Sequence, residues 1–229
     1  MPLVSPVATS RRSSRAKANP TIDLAERIAR ALDLKVDIVA RLPTIIGDRR
    51  QRDLVHARCS AYSERRLQAA GWQTAREVEI VHAHSHGWID LLAFDPVSGT
   101  LLVVEVKTRL DDVGAVERQL GWYERSAFDV ARRLGWRPRR TIGLLLVLAS
   151  DEVDAVIAQN RELLARSFPG RARTLSGVIV LDPTRINERG LAMIDPTSKR
   201  ADWLRPTRVD GRRSPARFRD YGDAARRLG

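Results

Sequence analysis

The sequence predicts an α/β protein with a mixed central β-sheet flanked by helices. Residues 88–107 contain two apolar runs, WIDLLAF and LLVVEVK, separated by Asp-Pro and Ser-Gly turn signals, which is the pattern of a β-hairpin. Residues 141–149 form a continuous apolar run, typical of a strand covered on both faces. Amphipathic segments alternate with these runs, as expected for helices that cover a sheet.

The other predicted elements follow from periodicity and from helix start and stop signals. The first is a helix from residue 21, capped by Thr21 or Asn19, followed by a short strand or extended segment at 35–42. A helix from about Arg52 to Ala70, a strand at 76–81 and a helix capped by Asp111 or Asp112, which ends near Leu134, come next. The last elements are a helix over 151–168, a strand over 175–182 and a short edge strand over 190–195.

Composition bounds the function. The chain has 229 residues and a formal net charge of +12, which favours an anionic partner, nucleic acid first and an acidic membrane surface second. An arginine-rich proteome is the alternative explanation of this charge. Cys59 is the single cysteine, so no intrachain disulfide can form. No apolar run approaches membrane-spanning length and no signal sequence is evident, so we expect a cytoplasmic protein without a membrane partner.

Four regions are predicted along the chain. Residues 1–20 read as a disordered basic arm and residues 21–52 as a linker or dimerisation helix with its trailing segment. Residues 53–198 carry the predicted sheet and its helices, and residues 199–229 read as a flexible basic tail. We expect both termini to contact phosphates, through Arg11, Arg12, Arg212 and Arg213, and we expect Arg109 of the central region to bind nucleic acid as well.

Two carboxylates in the hairpin are predicted to lie together. If Phe94 pairs with Leu101 across the turn, the same register places Asp90 opposite Glu105, with Cβ atoms ~4.5–5.5 Å apart. Lys107 points to the same side of its strand as Glu105. Like charges at that distance repel, and a divalent cation between them would convert the repulsion into a binding site.

These residues resemble the core of the PD-(D/E)xK nuclease superfamily. Asp90, a hairpin and Glu105-Val106-Lys107 match the D…(D/E)xK signature, and Gln119 with Tyr123 matches the QxxxY element of RecB-like members. The likeness covers roughly residues 56–149 and implies a restriction-endonuclease-like fold and a metal-dependent DNA endonuclease. The expected substrate is double-stranded or branched DNA, and a homodimer is expected by analogy.

The resemblance also implies roles for residues. Asp90, Glu105 and the carbonyl of Val106 would hold Mg²⁺ or Mn²⁺, with Glu77, preferred over Glu79, as a further acid. Lys107 would position the attacking water, and Gln119 would orient the substrate or the water. Glu64, on the preceding helix, and Tyr123 would support this site.

Residues 21–42 resemble the last helix and trailing segment of lambda-repressor-like helix-turn-helix domains that precede nuclease-like domains in actinobacterial proteins. The earlier helices, including the recognition helix, have no counterpart here, so a helix-turn-helix remnant is preferred over a DNA-reading module. His82, His84 and His86 would line one face of a strand and could bind zinc, but Ser85 and Gly87 favour a turn that separates them.

Three alternatives stay open. A buried salt bridge between Glu105 and Lys107 in a degenerate fold would need no metal. The protein would then be a catalytically inactive DNA-binding or transcription-regulatory protein that keeps a nuclease-like fold. An interaction module of a toxin, phage-defence or transposon system, with basic segments that meet RNA or protein, is the third alternative.

Overall fold

The computed structural model describes residues 21–33, 46–82, 85–212 and 214–229. The chain divides into two compact units, residues 1–43 and 44–229. The predicted basic arm with Arg11 and Arg12, the predicted extended segment at 35–42, and residues His84 and Arg213 lie outside the described residues.

The first unit contains helix α1, Ile22–Ala31. Thr21 is its N-cap, because the hydroxyl of Thr21 accepts a hydrogen bond from the backbone N–H of Leu24 at 3.3 Å. A hydroxyl at this position satisfies one of the donors that the first helical turn leaves free. The predicted start of this helix is therefore confirmed.

The second unit is built on a five-stranded sheet in the order β1-β2-β3-β4-β5. Its strands are β1 Gln73–His82, β2 Ser85–Asp95, β3 Thr100–Lys107, β4 Arg140–Leu148 and β5 Gly190–Ile194. The first three strands are antiparallel, whereas β3, β4 and β5 run parallel to one another. The predicted mixed sheet is thus confirmed.

Helices cover both faces of this sheet, and alternate side chains of β3 show the division. Leu102 and Val104 pack in one core cluster with helices α2, Ile46–Ala69, α6, Ala172–Leu181, and α7, Tyr221–Leu228. Leu101 and Val103 pack in the other with helices α3, Val113–Arg133, α4, Asp151–Gln159, and α5, Arg161–Ser167. Burial on both faces explains why β3 and β4 are continuous apolar runs.

Helix α3 begins and ends as predicted. The carboxylate of Asp112 caps it by accepting the N–H of Ala115 at 2.8 Å. Leu134 ends it, and Gly135 follows with a φ of +79°, a conformation that glycine adopts without steric cost. Helix α2 starts at Ile46, earlier than the predicted start near Arg52.

The prediction of a strand over residues 175–182 is wrong, because these residues belong to helix α6 and the turn after it. Leu175 and Ile179 are buried one helical turn apart, against the face of the sheet that α6 covers. A short apolar run does not distinguish a buried strand from a buried helical segment. The predicted single helix over 151–168 is likewise two helices, α4 and α5, separated at Asn160.

The prediction of a flexible tail over residues 199–229 is also wrong. Trp203, Leu204 and Phe218 are buried in the main core, and the segment ends in helix α7, capped by Asp220. The ring of Trp203 meets the ring of Tyr62 of α2 edge-on, with centroids 6.0 Å apart. These apolar anchors are spaced without a period, so the basic residues between them dominate the local pattern.

Within the described residues, no helix is both long enough and apolar enough to cross a membrane.

Candidate functional site

The hairpin has the predicted register. Phe94 pairs with Leu101, and the ladder between β2 and β3 continues to the pair Leu91 and Val104. Beyond this pair, the side chain of Asp90 replaces the backbone as the hydrogen-bond partner of β3. The Oδ2 atom of Asp90 accepts the backbone N–H of Val106 at 2.7 Å. This bond anchors the Asp90 carboxylate at the end of the hairpin.

Strand β2 is distorted at Asp90. On its other edge, the pairs Arg76–Leu91 and Val78–Ile89 flank an unpaired step at Glu77 and Asp90. Glu77 has a φ of +50°, which costs about 1–3 kcal/mol for a residue with a side chain. Ile89 and Leu91 consequently pack on opposite faces of the sheet, although residues two apart in a regular strand share a face. The distortion frees Asp90 from the regular alternation.

Asp90 also contacts His56, a residue that the sequence patterns did not single out. The Nε2 atom of His56, on helix α2, lies 3.3 Å from Oδ1 of Asp90. The hydrogen bond to Asp90 raises the pKa of His56, against the effect of burial. The Asp90 carboxylate is therefore held by two partners, the backbone N–H of Val106 and the ring of His56. No pattern in the sequence signalled this contact, because it depends on the packing of α2 beside β2.

Glu105 is the buried acid of the site, with a side chain only 3% exposed. Its Oε1 atom lies 2.5 Å from the Nζ atom of Lys107, whereas its Oε2 atom is buried without a hydrogen-bond partner. Burial, together with the negative charge of Asp90, raises the pKa of Glu105 to about 7. Ionising this carboxyl at neutral pH therefore requires positive charge close by.

Lys107 supplies part of that charge. Burial is the largest influence on the pKa of Lys107 and acts to lower it, but the charge and hydrogen bond of Glu105 and the charge of Asp90 together outweigh burial, so the pKa is raised. The Lys107 side chain is 27% exposed, and its ammonium group lies beside Glu105 at the end of β3. It is therefore a fixed cation that solvent, or a ligand, can still approach.

Gln119 and Tyr123 form a pair on one face of α3. The Nε2 atom of Gln119 donates to the hydroxyl of Tyr123 at 2.6 Å. Burial raises the pKa of Tyr123, and the negative charge of Glu105 acts in the same direction. Tyr123 packs in the same core cluster as Leu101 and Val103 of β3, the strand that carries Glu105.

The remaining predicted acids lie elsewhere. Glu64 accepts a hydrogen bond from the hydroxyl of Thr74 at 3.2 Å and lies 3.8 Å from a nitrogen of Arg76. It follows His56 by eight residues, which is ~12 Å along a helix. Glu77 is exposed next to Asp90 in the sheet, and no described contact joins its side chain to Glu105.

Ser85 and Gly87 belong to strand β2 rather than to the predicted turn. The chain does reverse direction just before them, because His82 of β1 pairs with Ser85 of β2, so His82 and His86 lie on different strands. Of the three histidines considered for zinc, only the side chain of His86 is described. Its Nε2 atom lies 2.8 Å from Oε1 of Glu79, and its ring meets the half-exposed ring of Trp88 edge-on. Among the described residues, no three histidine, cysteine, aspartate or glutamate side chains form a cluster suited to a metal ion.

Two predicted phosphate contacts have partners within the protein. The guanidinium group of Arg109 stacks over the ring of Tyr221, 4.9 Å from its centroid. Arg212 is only 12% exposed, and its Nη2 atom lies 2.5 Å from Oδ2 of Asp154. A phosphate would have to displace Asp154 to pair with Arg212.

Comparison of the chain with models of known protein families finds no match, and comparison with curated proteins finds none either.

Proposed function

We propose that this protein is a metal-dependent, endonuclease-like phosphodiester hydrolase that acts on DNA. The observation that carries the proposal is the contact of Glu105 with Lys107 at the end of β3, with the Asp90 carboxylate of β2 bound to the backbone N–H of Val106 between them. Phosphodiesters are anionic and resist attack, so their hydrolysis needs positive charge at the phosphate and a positioned water. Two acids and an ammonium group held on neighbouring strands are suited to both tasks.

The residues fit Mg²⁺ or Mn²⁺. The Oε2 atom of Glu105 is buried and unpartnered, and the charge of Asp90 contributes to its raised pKa, so a cation would relieve both penalties. Asp90 and Glu105 would hold the ion, with the Val106 carbonyl as a further oxygen. Mg²⁺ keeps several waters, so a cluster of three acidic or histidine side chains is not required. When bound, the ion would neutralise charge on the phosphate and activate water.

The neighbouring side chains would position the reacting groups. Lys107 is partly exposed beside Glu105, so its ammonium group can hold the attacking water and stabilise charge that develops on the phosphate. Tyr123 orients Gln119, whose side chain is then placed to contact the substrate or the water. His56 and the N–H of Val106 hold Asp90 in place.

A catalytically inactive DNA-binding or regulatory protein is the second candidate. It is favoured by the partners that the acids already have, since Lys107 contacts Glu105 and His56 contacts Asp90. Such a protein would bind DNA with a steep salt dependence but would take up no Mg²⁺.

The deciding experiment is cleavage of plasmid and branched DNA by the purified protein with Mg²⁺, Mn²⁺ or EDTA. We expect cleavage only with metal and a loss of at least about 100-fold in Asp90→Ala and in Lys107→Ala. Glu162→Ala and Lys199→Ala remove exposed charges outside the site and serve as matched controls. Full activity in both site variants would refute the assignment, and calorimetric Mg²⁺ titration would separate the two candidates if no cleavage occurs.

A further inference from the structure

A cleft lined by arginines lies outside the candidate site. Two cavities of about 680 and 520 Å³ share Arg173, Arg212, Pro206 and Ser214 in their walls, so they form one continuous concavity. We call this concavity the arginine cleft. It is formed by the segment that follows β5, together with the starts of α5 and α6.

Part of the positive charge of the arginine cleft is compensated within the protein. Arg171 lies 3.7 Å from Asp210, and Arg205 lies 3.6 Å from Asp195. Arg212 is held by the buried Asp154, as described above. These three arginines are already paired with carboxylates, so they contribute to the structure of the cleft wall rather than to ligand binding.

Four other arginines of the cleft are exposed and have no ion pair among the described residues. They are Arg161, Arg173, Arg200 and Arg217. Asp202 is the only lining acid, in the described part of the chain, that is not already paired with an arginine. The cleft therefore carries an excess of positive charge, and guanidinium groups are well suited to bind phosphate oxygens.

The distribution of these arginines favours a polymer over a small anion. Arg161 lines the larger cavity, Arg200 and Arg217 line the smaller one, and Arg173 lines both. A single phosphate group would need arginines that converge on one point, whereas regularly spaced phosphates can meet arginines spread along a cleft. Among the described residues that line the cleft, none is aromatic, so no ring is offered on which bases could stack and recognition would depend on the backbone.

The cleft reaches the candidate site along the sheet. Ala149, which lines the smaller cavity, follows β4 two residues after Val147, the partner of Lys107 in β3. From the strand spacing and rise per residue, the Cα atoms of Lys107 and Ala149 lie ~8 Å apart. A chain held in the cleft would therefore run beside the site.

We infer that the arginine cleft binds the phosphates of a single nucleic-acid strand next to the candidate site. A flexible single strand can enter a concavity of this size, whereas a rigid double helix is wider and would contact only its rim. The inference rests on the proposed function for the identity of the ligand, and it adds that the substrate has a single-stranded part. Binding in the cleft needs neither the metal nor the acids of the site.

The test is fluorescence anisotropy in EDTA with labelled oligothymidylate of about 20 nucleotides, alone or paired with oligoadenylate. The unsubstituted protein is compared with the double variant Arg173→Ala/Arg217→Ala. The control is Arg65→Ala/Arg125→Ala, which removes the same charge from exposed positions on α2 and α3, outside the cleft. All four arginines are exposed, so we expect unchanged melting temperatures.

We expect the cleft variant to bind the single strand about tenfold more weakly, and its salt slope to fall by about 1.4, since each lost phosphate contact contributes about 0.7. The control should stay within about twofold, because exposed charges outside a site act only through screened attraction. An equal loss of affinity in the cleft variant and the control variant would overturn the inference. It would also be overturned if the duplex bound as tightly as the single strand and lost as much affinity in the cleft variant. Displacement of the single strand by equimolar tripolyphosphate would overturn it as well, because it would indicate a site for a small anion.

The same measurements separate this inference from the proposed function. Cleft-dependent binding without any metal-dependent cleavage would refute the hydrolase and leave the cleft standing. Cleavage that depends on Asp90 and Lys107, with strand binding unaffected in the cleft variant, would refute the cleft alone.

Discussion

Replacing Glu105 with glutamine should stabilise the metal-free protein, and should do so more as the pH rises. Burial and the charge of Asp90 raise the pKa of Glu105 from 4.5 to about 7 in the folded state. Between these two values the folded protein keeps a proton that the unfolded chain has released. The free energy of unfolding of the wild type therefore falls as the pH rises through this window and levels off above it. Glutamine keeps the shape of the side chain without titrating.

The magnitude follows from the size of the pKa shift. At 1.36 kcal/mol per unit, the shift corresponds to about 3 kcal/mol. The Glu105 side chain is only 3% exposed, so solvent screens little of this penalty. For a protein of this size, about 3 kcal/mol corresponds to a difference of about 6–12 °C in melting temperature.

The assay is urea unfolding of the wild type and Glu105→Gln in EDTA, at several pH values from 4.5 to 8. The difference between the two free energies of unfolding should grow by about 3 kcal/mol over this range. Glu162→Gln, which changes an exposed glutamate, is the matched control and should show a constant difference. A constant difference for Glu105→Gln would mean that Lys107 keeps Glu105 ionised throughout, and would refute the reasoning.

Three further predictions concern the surroundings of the site. His56→Asn should destabilise the protein most at low pH. The hydrogen bond to Asp90 raises the pKa of His56, so the stability that the protonated His56 contributes is lost as the pH rises through its pKa in the folded protein. Thermal melts of both proteins from pH 5 to 9 measure the difference in stability. Tyr123→Phe should cost about 1 kcal/mol in urea unfolding and reduce cleavage, because Gln119 loses its hydrogen-bond partner. Asp154→Ala should cost about 3–5 kcal/mol in the same assay and expose the C-terminal segment to limited proteolysis, because two arginines lose the buried carboxylate that they share.

Each of these predictions has an outcome that contradicts it. For His56→Asn, that outcome is a loss of stability that grows with pH, with His86→Asn as the control at an exposed histidine. For Tyr123→Phe it is unchanged cleavage, which would limit the Gln119 pair to packing. For Asp154→Ala it is wild-type stability and protease resistance, compared with Asp129→Ala at an exposed position of α3.

Local sequence patterns were sufficient for the hairpin that carries the site. A turn signal between two apolar runs predicted the pair Phe94 and Leu101, which the structure contains. The alternation of side chains along a strand then predicted that Glu105 and Lys107 lie on one side of β3. The cap at Asp112 and the glycine after Leu134 likewise predicted α3, whose Tyr123 packs against β3. These features depend on residues close together in the chain.

Other features were decided by contacts between distant segments. His56 meets Asp90 only because α2 packs beside β2, and nothing in the residues around it signals that contact. Leu175 belongs to a helix because of the sheet face that it covers, and a short apolar run allows either structure.

The arginine cleft shows the same division between sequence and structure. Composition established the excess of positive charge, which favours an anionic partner. Packing of the segment after β5 decided which arginines form ion pairs with Asp154, Asp195 and Asp210, and which remain exposed. A net charge is a property of the residues alone, whereas a binding site depends on which charges the folded chain has already paired.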